Sequence, residues 1–371
     1  MAQLTVPPIA ILGGALAAAS RAVGIAGNFG ADTIRNDGDI VVSADADLSS
    51  SGDSETTFGT SEGGVTIGTD VEAAGIDGGD GDDSIENTGQ IDVSATSILS
   101  QDGSNYTFGG TGETGGALAA VSRAVGIAGN LGADTIRNSG DIVVSADADL
   151  ASSGDSETTF GTSEGGVTIG TDVEAAGIDG GDGDDSIENT GRIDVSAGAT
   201  LTQDGSSYAF GGTGETGGVL AADTRTVGIA GGAGSDQIRN AGEIDVFAAA
   251  ALTTSGESET TFGTSDGGIT VGAVVEASGI ASGEDDDGVE NLDLIRVRAQ
   301  TNVTSQMEAY TFGGTSDSDV AMTGAARAGG IDGGDGTNLI VNRDTIDVEA
   351  VAELSATGGT SATFGGAGGS G

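Results

Sequence analysis

A short run of glycine and aspartate is the part of this sequence best suited to chemistry. It reads GGDGDD at residues 78–83 and returns unchanged at residues 180–185. Glycine lets the backbone curl so that carbonyl oxygens point inward. Aspartate adds hard anionic oxygens, which Ca²⁺ takes in sets of about six to eight. The run therefore predicts a turn that binds a cation.

The run resembles the calcium-binding nonapeptide of RTX (haemolysin-type) proteins, G-G-x-G-x-D-x-U-x. The resemblance and the fixed place of the run in the repeat implicate as calcium ligands Asp32, Asp80, Asp82, Asp83, Asp134, Asp182, Asp184, Asp185, Asp236 and Asp335. RTX nonapeptides follow one another in tandem, whereas here one occurs in every 51 residues, so each ion would be shared between whole units. Asn28 and Asn130 replace the second glycine, and the sixth unit has lost the pattern. The alternative is Gly/Asp turns without a specific ion.

The remaining residue types limit what else the chain can do. It has no His and no Cys, and its 11 basic residues are all Arg, against 58 acidic residues, for a net charge of −47. Such a surface repels nucleic acid and anionic lipid. Most nucleophiles and general bases are missing, so we expect no enzyme. The alternative is a β-helical polysaccharide-degrading enzyme, whose acidic site would be residues 284–287 with Arg296 and Arg298.

A repeat of 51 residues organises the whole chain. The dipeptide Gly-Ile recurs at this step seven times, beginning at residues 24, 75, 126, 177, 228, 279 and 330. We therefore predict that residues 24–371 form seven repeat units, and that residues 1–23 complete or cap the structure. No segment has the run of about 20 apolar residues that a membrane helix needs, so no membrane insertion is expected.

Each unit contains a long alternating stretch. In the first, Ile40, Val42 and Leu48 fall on one face while Asp45 and Asp47 fall on the other. This period of two predicts a strand with one buried face, and no helical period is convincing. Because the apolar positions recur in every unit, the predicted fold is an all-β, parallel β-solenoid (β-helix) of seven units stacked in register.

Two charged columns bear on how the units stack. At 51-residue steps one reads Arg35, Glu86, Arg137, Glu188, Arg239, Glu290, Val341, and the other reads Arg21, Glu72, Arg123, Glu174, Arg225, Glu276, Arg327. Equivalent positions on neighbouring parallel strands lie about 4.8 Å apart, where opposite charges help. The alternation favours direct stacking of 51-residue turns. The competing arrangement has two coils of about 25 residues in each unit.

Asn and aromatic residues also recur. One Asn follows each Gly-Ile, and we expect either a ladder of buried amides or ordinary turns. Phe residues share the 102-residue double period, with Tyr106, Tyr208 and Tyr310 nearby. We expect these aromatics to belong to the core, with a carbohydrate-binding stripe as the alternative.

The rhythm I-x-N-x-G-x-I, as at residues 34–40, is similar to that of the passenger regions of secreted bacterial adhesins. The expected function is a structural, extracellular or cell-surface β-solenoid, calcium-stabilised, whose copies stack head to tail into a filament or surface layer. The alternative is the stalk or binding region of an adhesin, with a cell-surface glycan as partner.

Overall fold

The computed structural model describes residues 14–62, 65–364 and 368–370. These residues form 19 strands and no helix, so this part of the chain has no helix that could cross a membrane. The strands are β1 (Gly14–Ala26), β2 (Thr33–Asn36), β3 (Ile40–Thr56), β4 (Gly59–Glu62), β5 (Val65–Asp80), β6 (Ser84–Asn87), β7 (Ile91–Thr114), β8 (Gly116–Leu131), β9 (Thr135–Asn138), β10 (Ile142–Asp182), β11 (Ser186–Asn189), β12 (Ile193–Ala233), β13 (Gln237–Asn240), β14 (Ile244–Glu284), β15 (Gly288–Asn291), β16 (Ile295–Asp332), β17 (Leu339–Asn342), β18 (Ile346–Phe364) and β19 (Gly368–Ser370).

Neighbouring strands pair in parallel at a constant offset of 51 residues. Ile142 in β10 lies beside Ile91 in β7 and Ile193 in β12. The long strands form one sheet, and the short strands β17, β15, β13, β11, β9, β6 and β2 form a second sheet of seven. The predicted all-β parallel β-solenoid is confirmed. So is direct stacking of 51-residue turns, and the arrangement with two coils of about 25 residues is wrong.

Each turn is a flattened coil with two long walls. In the middle of the chain the walls are two parts of one strand, as in β10, whose 41 residues double back at a tight bend where Thr158 Oγ1 donates to the carbonyl oxygen of Thr162 at 2.9 Å. Across the interior, Ser122 Oγ lies 2.9 Å from Ser97 Oγ, 25 residues earlier. The short strands close the opposite edge, between the Gly-Asp turns and the Asn turns.

The core is a thin layer of Ile, Val, Leu and Ala between these walls. Ile91, Val93 and Ala95 are fully buried, as the alternating pattern predicts. The alternation slips at each Gly-Ile, where both residues face inward. A Cβ at Gly75 would lie 2.5 Å from Ile91 Cγ2 and from the carbonyl oxygen of Gly126. Glycine recurs there because no larger residue fits.

Both charged columns lie on the outer surface, as their sign alternation predicts. Arg123 Nε lies 2.9 Å from Glu174 Oε2 in the next turn, and Glu188 accepts from Arg239 at 3.0 Å. These pairs are solvent-exposed, so each stabilises the stack by only about 0.2–1 kcal/mol. Together they favour this register over a shifted one more than they stabilise the fold as a whole.

The first turn begins inside residues 1–23, the segment predicted to complete or cap the structure. Residues 14–23 belong to β1, which pairs with β5 and places Arg21 beside Glu72. Residues 1–13 lie outside the described residues, and so does the completing or capping role predicted for them.

Candidate functional site: a ladder of buried aspartates

The Gly-Asp turns curl through left-handed backbone positions. Gly79 and Gly81 have φ angles of 98° and 130°. Asn28 and Asn130, which replace the second glycine in the first and third units, have φ angles of 76° and 77°. Asn is among the few non-glycine residues that adopt this conformation readily. The departures from the nonapeptide therefore preserve the backbone path of the turn.

The aspartate that ends each Gly-Asp turn forms a ladder along the stack, which we call the Asp ladder. The backbone amide of each member donates to Oδ1 of the member in the next turn. The N···Oδ1 distances are 2.6 Å from Asp32 to Asp83, 2.7 Å from Asp83 to Asp134, 2.7 Å from Asp134 to Asp185, 2.8 Å from Asp185 to Asp236 and 2.8 Å from Asp236 to Asp287.

The second carboxyl oxygen of each ladder residue has no partner. From Asp83 to Asp287 the ladder residues are buried, and Oδ2 of all six, including Asp32, lacks a hydrogen bond. In the first five ladder residues this oxygen lies against a glycine: a Cβ at Gly180 would come within 2.5 Å of Asp185 Oδ2. A buried polar atom without a hydrogen-bond partner destabilises the fold by about 1–3 kcal/mol. The ladder therefore requires something that offsets this cost.

Burial raises the pKa of three ladder carboxyls, those of Asp134, Asp185 and Asp236. It brings the pKa of Asp185 to about 7 and that of Asp236 to about 6, helped by the repulsion of neighbouring ladder carboxylates. The pKa of Asp134 is raised for the same reasons. The backbone amide that each carboxyl accepts acts in the opposite direction. Part of the ladder is therefore protonated near neutral pH, and this protonation reduces the repulsion between neighbouring ladder carboxylates.

The ten predicted calcium ligands separate into two groups. Asp83, Asp134, Asp185 and Asp236 are buried in the Asp ladder, which Asp32 begins. Five others lie exposed on the outer surface of the turns, namely Asp80, Asp82, Asp182, Asp184 and Asp335. Among these, Asp82 Oδ1 accepts the backbone amide of Ala133 at 3.0 Å, and Asp184 Oδ1 accepts that of Ser235 at 2.9 Å.

These two groups do not form a closed cage. Among the residues that the structure describes, no group of three acidic side chains is arranged to hold a metal ion. A ladder carboxyl offers one unused oxygen per turn, far fewer than the six to eight that calcium takes. The ladder therefore does not fit a calcium cage, and the exposed turn carboxylates are the oxygens that remain for a cation.

The predicted Asn ladder is present. From Asn36 to Asn291, each side-chain Nδ2 donates to Oδ1 of the Asn in the next turn and to a carbonyl in its own turn. Asn138 donates to Asn189 Oδ1 at 2.8 Å and to the carbonyl oxygen of Gly140 at 2.7 Å. Such pairing satisfies buried amides that would otherwise be costly. These Asn residues hold the turns in register.

The prediction that the aromatics belong to the core is wrong. Phe58 and Phe160 are 74% and 52% exposed, because they lie at the outer bend of the coil. Neighbouring rings instead pack edge to face on the surface, with centroids 5.6 Å apart for Phe58 and Phe108.

The sixth unit, where an enzymatic site was the alternative, joins the same structures. Arg296 pairs with Glu243 at 3.1 Å and Asp245 at 3.0 Å. Asp287 is a ladder member that the predicted ligand set lacked, although its position 51 residues after Asp236 places it in the same column of carboxylates.

The comparisons leave the family open. Neither the protein-family models, nor the curated proteins, nor the solved structures contain a match to this chain.

Proposed function

We propose that this protein is a structural β-solenoid whose copies stack end to end into an extracellular filament or surface layer. The observation that carries the proposal is the match between the two edges of the described stack. β1, β2 and β3 pair on one side only, and so do β17 and β18. Unpaired edges of this length are templates for another chain.

Both ladders end in complementary groups. The Asn ladder begins at Asn36 and ends at Asn342, and each Asn donates to the next. A second copy in the same register would bring Asn36 Oδ1 beside the Nδ2 of Asn342. In the Asp ladder, Asp32 Oδ1 would likewise meet the backbone amide of Asn338. The hydrogen-bonding pattern inside the chain would therefore continue across the seam.

The end formed by the last turn exposes its inward-facing apolar columns. Ile340, Val348 and Leu354 are 43%, 41% and 46% exposed. The equivalent columns run unbroken through the earlier turns, where their members are buried. Covering these side chains with another turn gains about 25 cal/mol for each Å² of apolar surface buried.

Some charged pairs at the seam favour end-to-end stacking and others oppose it. In the same register, Arg343 would lie beside Asp37, which is favourable, while Arg327 would lie beside Arg21, which is not. Both Arg21 and Arg327 are largely exposed, so their repulsion costs only tenths of a kcal/mol. Apolar contact and backbone pairing outweigh it.

Calcium is part of the proposal on the RTX resemblance. The exposed turn carboxylates, such as Asp80 and Asp182, supply hard oxygens on a chain of net charge −47. Cations gathered there would reduce repulsion between neighbouring turns.

Substitutions in β18 test the assembly. Val348→Asp places a charge on the exposed apolar edge that the next copy would bury. Ser355→Asp is the matched control, since it adds the same charge to the same strand at an outward position, and its seam neighbour would be the uncharged Ser49. Sedimentation velocity is expected to show polymers for the wild type and for Ser355→Asp, and single particles for Val348→Asp. Single particles of the wild type at high concentration would contradict assembly and favour the adhesin stalk.

A further inference from the structure

An exposed aromatic ridge runs along the bend edge of the solenoid. It consists of Phe58, Phe108, Phe160, Phe210, Phe262 and Phe312. Successive rings pack edge to face with centroids 5.6–6.1 Å apart, and each ring remains between 38% and 74% exposed. Scattered exposed apolar residues are ordinary, whereas a contiguous apolar patch marks an interaction surface.

Small residues beside each Phe leave space for a continuous ridge. Phe160 lies between Gly109 and Gly211 in the neighbouring turns, whose own Phe residues occupy the preceding position. A Cβ at Gly211 would lie 3.4 Å from Phe160 Cδ1. Because Phe alternates with Gly in one column and with Thr in the next, each of the six turns from Phe58 to Phe312 presents a ring without a clash.

Carboxylates flank the ridge on both sides. On one wall Glu157 lies between Tyr106 and Tyr208 in an alternating column. On the other wall Glu164, Glu215 and Asp266 lie in consecutive turns of one column. Like charges about 4.8 Å apart on neighbouring strands repel.

The column of Glu164, Glu215 and Asp266 places like charges in consecutive turns on the outer surface. By contrast, the two Arg columns alternate in sign, and Asp102 and Asp204 alternate with Ser. The sequence has no Arg at residues 44–65, 95–116, 146–167, 197–218, 248–269, 299–320 and 350–371, the stretches that include the described residues of the bend. Within the described residues, the bend edge is thus aromatic and acidic and has no Arg.

We propose that the aromatic ridge and its flanking carboxylates bind an extended, arginine-rich segment of a partner polypeptide. Guanidinium groups stack on aromatic faces and form fork-like hydrogen bonds with carboxylates. A partner of this kind supplies the positive charge that the bend edge lacks. The site lies on the side of the stack, so it does not depend on end-to-end assembly.

The test is fluorescence anisotropy with a labelled oligoarginine peptide at physiological salt. The variant Phe108→Leu/Phe160→Leu/Phe210→Leu keeps the net charge and the apolar character of the ridge but removes the aromatic faces. It is expected to bind the peptide about tenfold more weakly than the wild type. Circular dichroism confirms that the variant keeps its β structure.

Variants that remove carboxylates provide a second test of the proposal, independent of the Phe substitutions. Glu164→Gln/Glu215→Gln/Asp266→Asn is expected to weaken binding more than Asp47→Asn/Asp149→Asn/Asp347→Asn, which removes the same charge from a flat wall. Equal affinity of the Phe variant and the wild type would overturn the proposal, because net charge alone would then explain binding. Preference of the ridge for a neutral oligosaccharide would also overturn it.

Discussion

Asn338 donates its side-chain amide to the carbonyl oxygen of Gly333 in its own turn, while its Oδ1 accepts the backbone amide of Asp287 at 2.8 Å. The same place in an earlier turn holds Asp185, whose Oδ2 lies against Gly180, the counterpart of Gly333. The last turn thus shows that a neutral side chain with a hydrogen-bond donor fits the ladder. A proton on Asp185 Oδ2 would supply the same donor, in agreement with its raised pKa.

The stability of the fold should therefore fall as the pH rises from 5 to 8. The pKa values of Asp185 and Asp236, about 7 and about 6 in the fold, exceed the ordinary value of 3.8. Their contribution to the free energy of unfolding is complete below that ordinary value and is lost as the pH passes through 6 and 7. Thermal unfolding followed by circular dichroism at several pH values measures this trend.

Asp185→Asn isolates the contribution of the Asp ladder to this pH dependence. Asn is neutral throughout the range, so the variant should lose less stability than the wild type between pH 5 and pH 8. The exposed wall residue Asp149 gives the control Asp149→Asn, which should leave the slope unchanged. If Asp185→Asn kept the full slope, the pH dependence would come from general surface repulsion.

Removing one member of the Asn ladder should destabilise the fold. Asn189→Ala removes the ladder hydrogen bond that Asn138 Nδ2 donates and the one that Asn240 Oδ1 accepts, at a cost of about 1–3 kcal/mol. Chemical denaturation of this variant and of the exposed control Thr202→Ala measures the difference. Equal stability of the two variants would show that the amides are not coupled along the stack.

A methyl group at the Gly-Asp turn should be far more costly than one on the wall. The Cβ of Gly180→Ala would lie 2.5 Å from Asp185 Oδ2 and from the carbonyl oxygen of Gly231, whereas a Cβ at Gly170 meets nothing within 4 Å. Overpacking of this kind costs about 1–3 kcal/mol. We expect a lower midpoint of denaturation for Gly180→Ala than for Gly170→Ala, and the reverse order would contradict the described packing.

Millimolar calcium should raise the melting temperature, and chelation should lower it, because the exposed turn carboxylates carry uncompensated charge. Asp80→Asn/Asp182→Asn should reduce the calcium-dependent shift, while Asp47→Asn/Asp149→Asn on the wall should not. If neither calcium nor chelator changed the melting temperature, the nonapeptides would be structural turns that bind no calcium.

The sequence predicts most of this fold because its information is periodic. Ile40 and Val42 repeat at 51-residue steps together with the alternating Arg and Glu columns, and these patterns determine the strands, the register and the length of one turn. The position of the Phe residues could not be predicted in this way. A period of 102 residues is the same for a buried and an exposed ring, and exposure depends on where the chain bends.

The candidate site was predictable in part. The spacing of Asp83, Asp134 and Asp185 indicates a column of carboxyls, but sequence alone does not show that Oδ1 accepts a backbone amide or that Oδ2 faces a glycine. Those contacts depend on the path of the turn in three dimensions. They are also what separates a ladder of acids from a calcium cage.

Electron cryomicroscopy of the assembled protein tests end-to-end stacking most directly. End-to-end stacking requires filaments in which the spacing of about 4.8 Å between turns continues through every junction, with Asn342 of one copy beside Asn36 of the next. Isolated particles of seven turns, or filaments joined through the aromatic ridge, would contradict it.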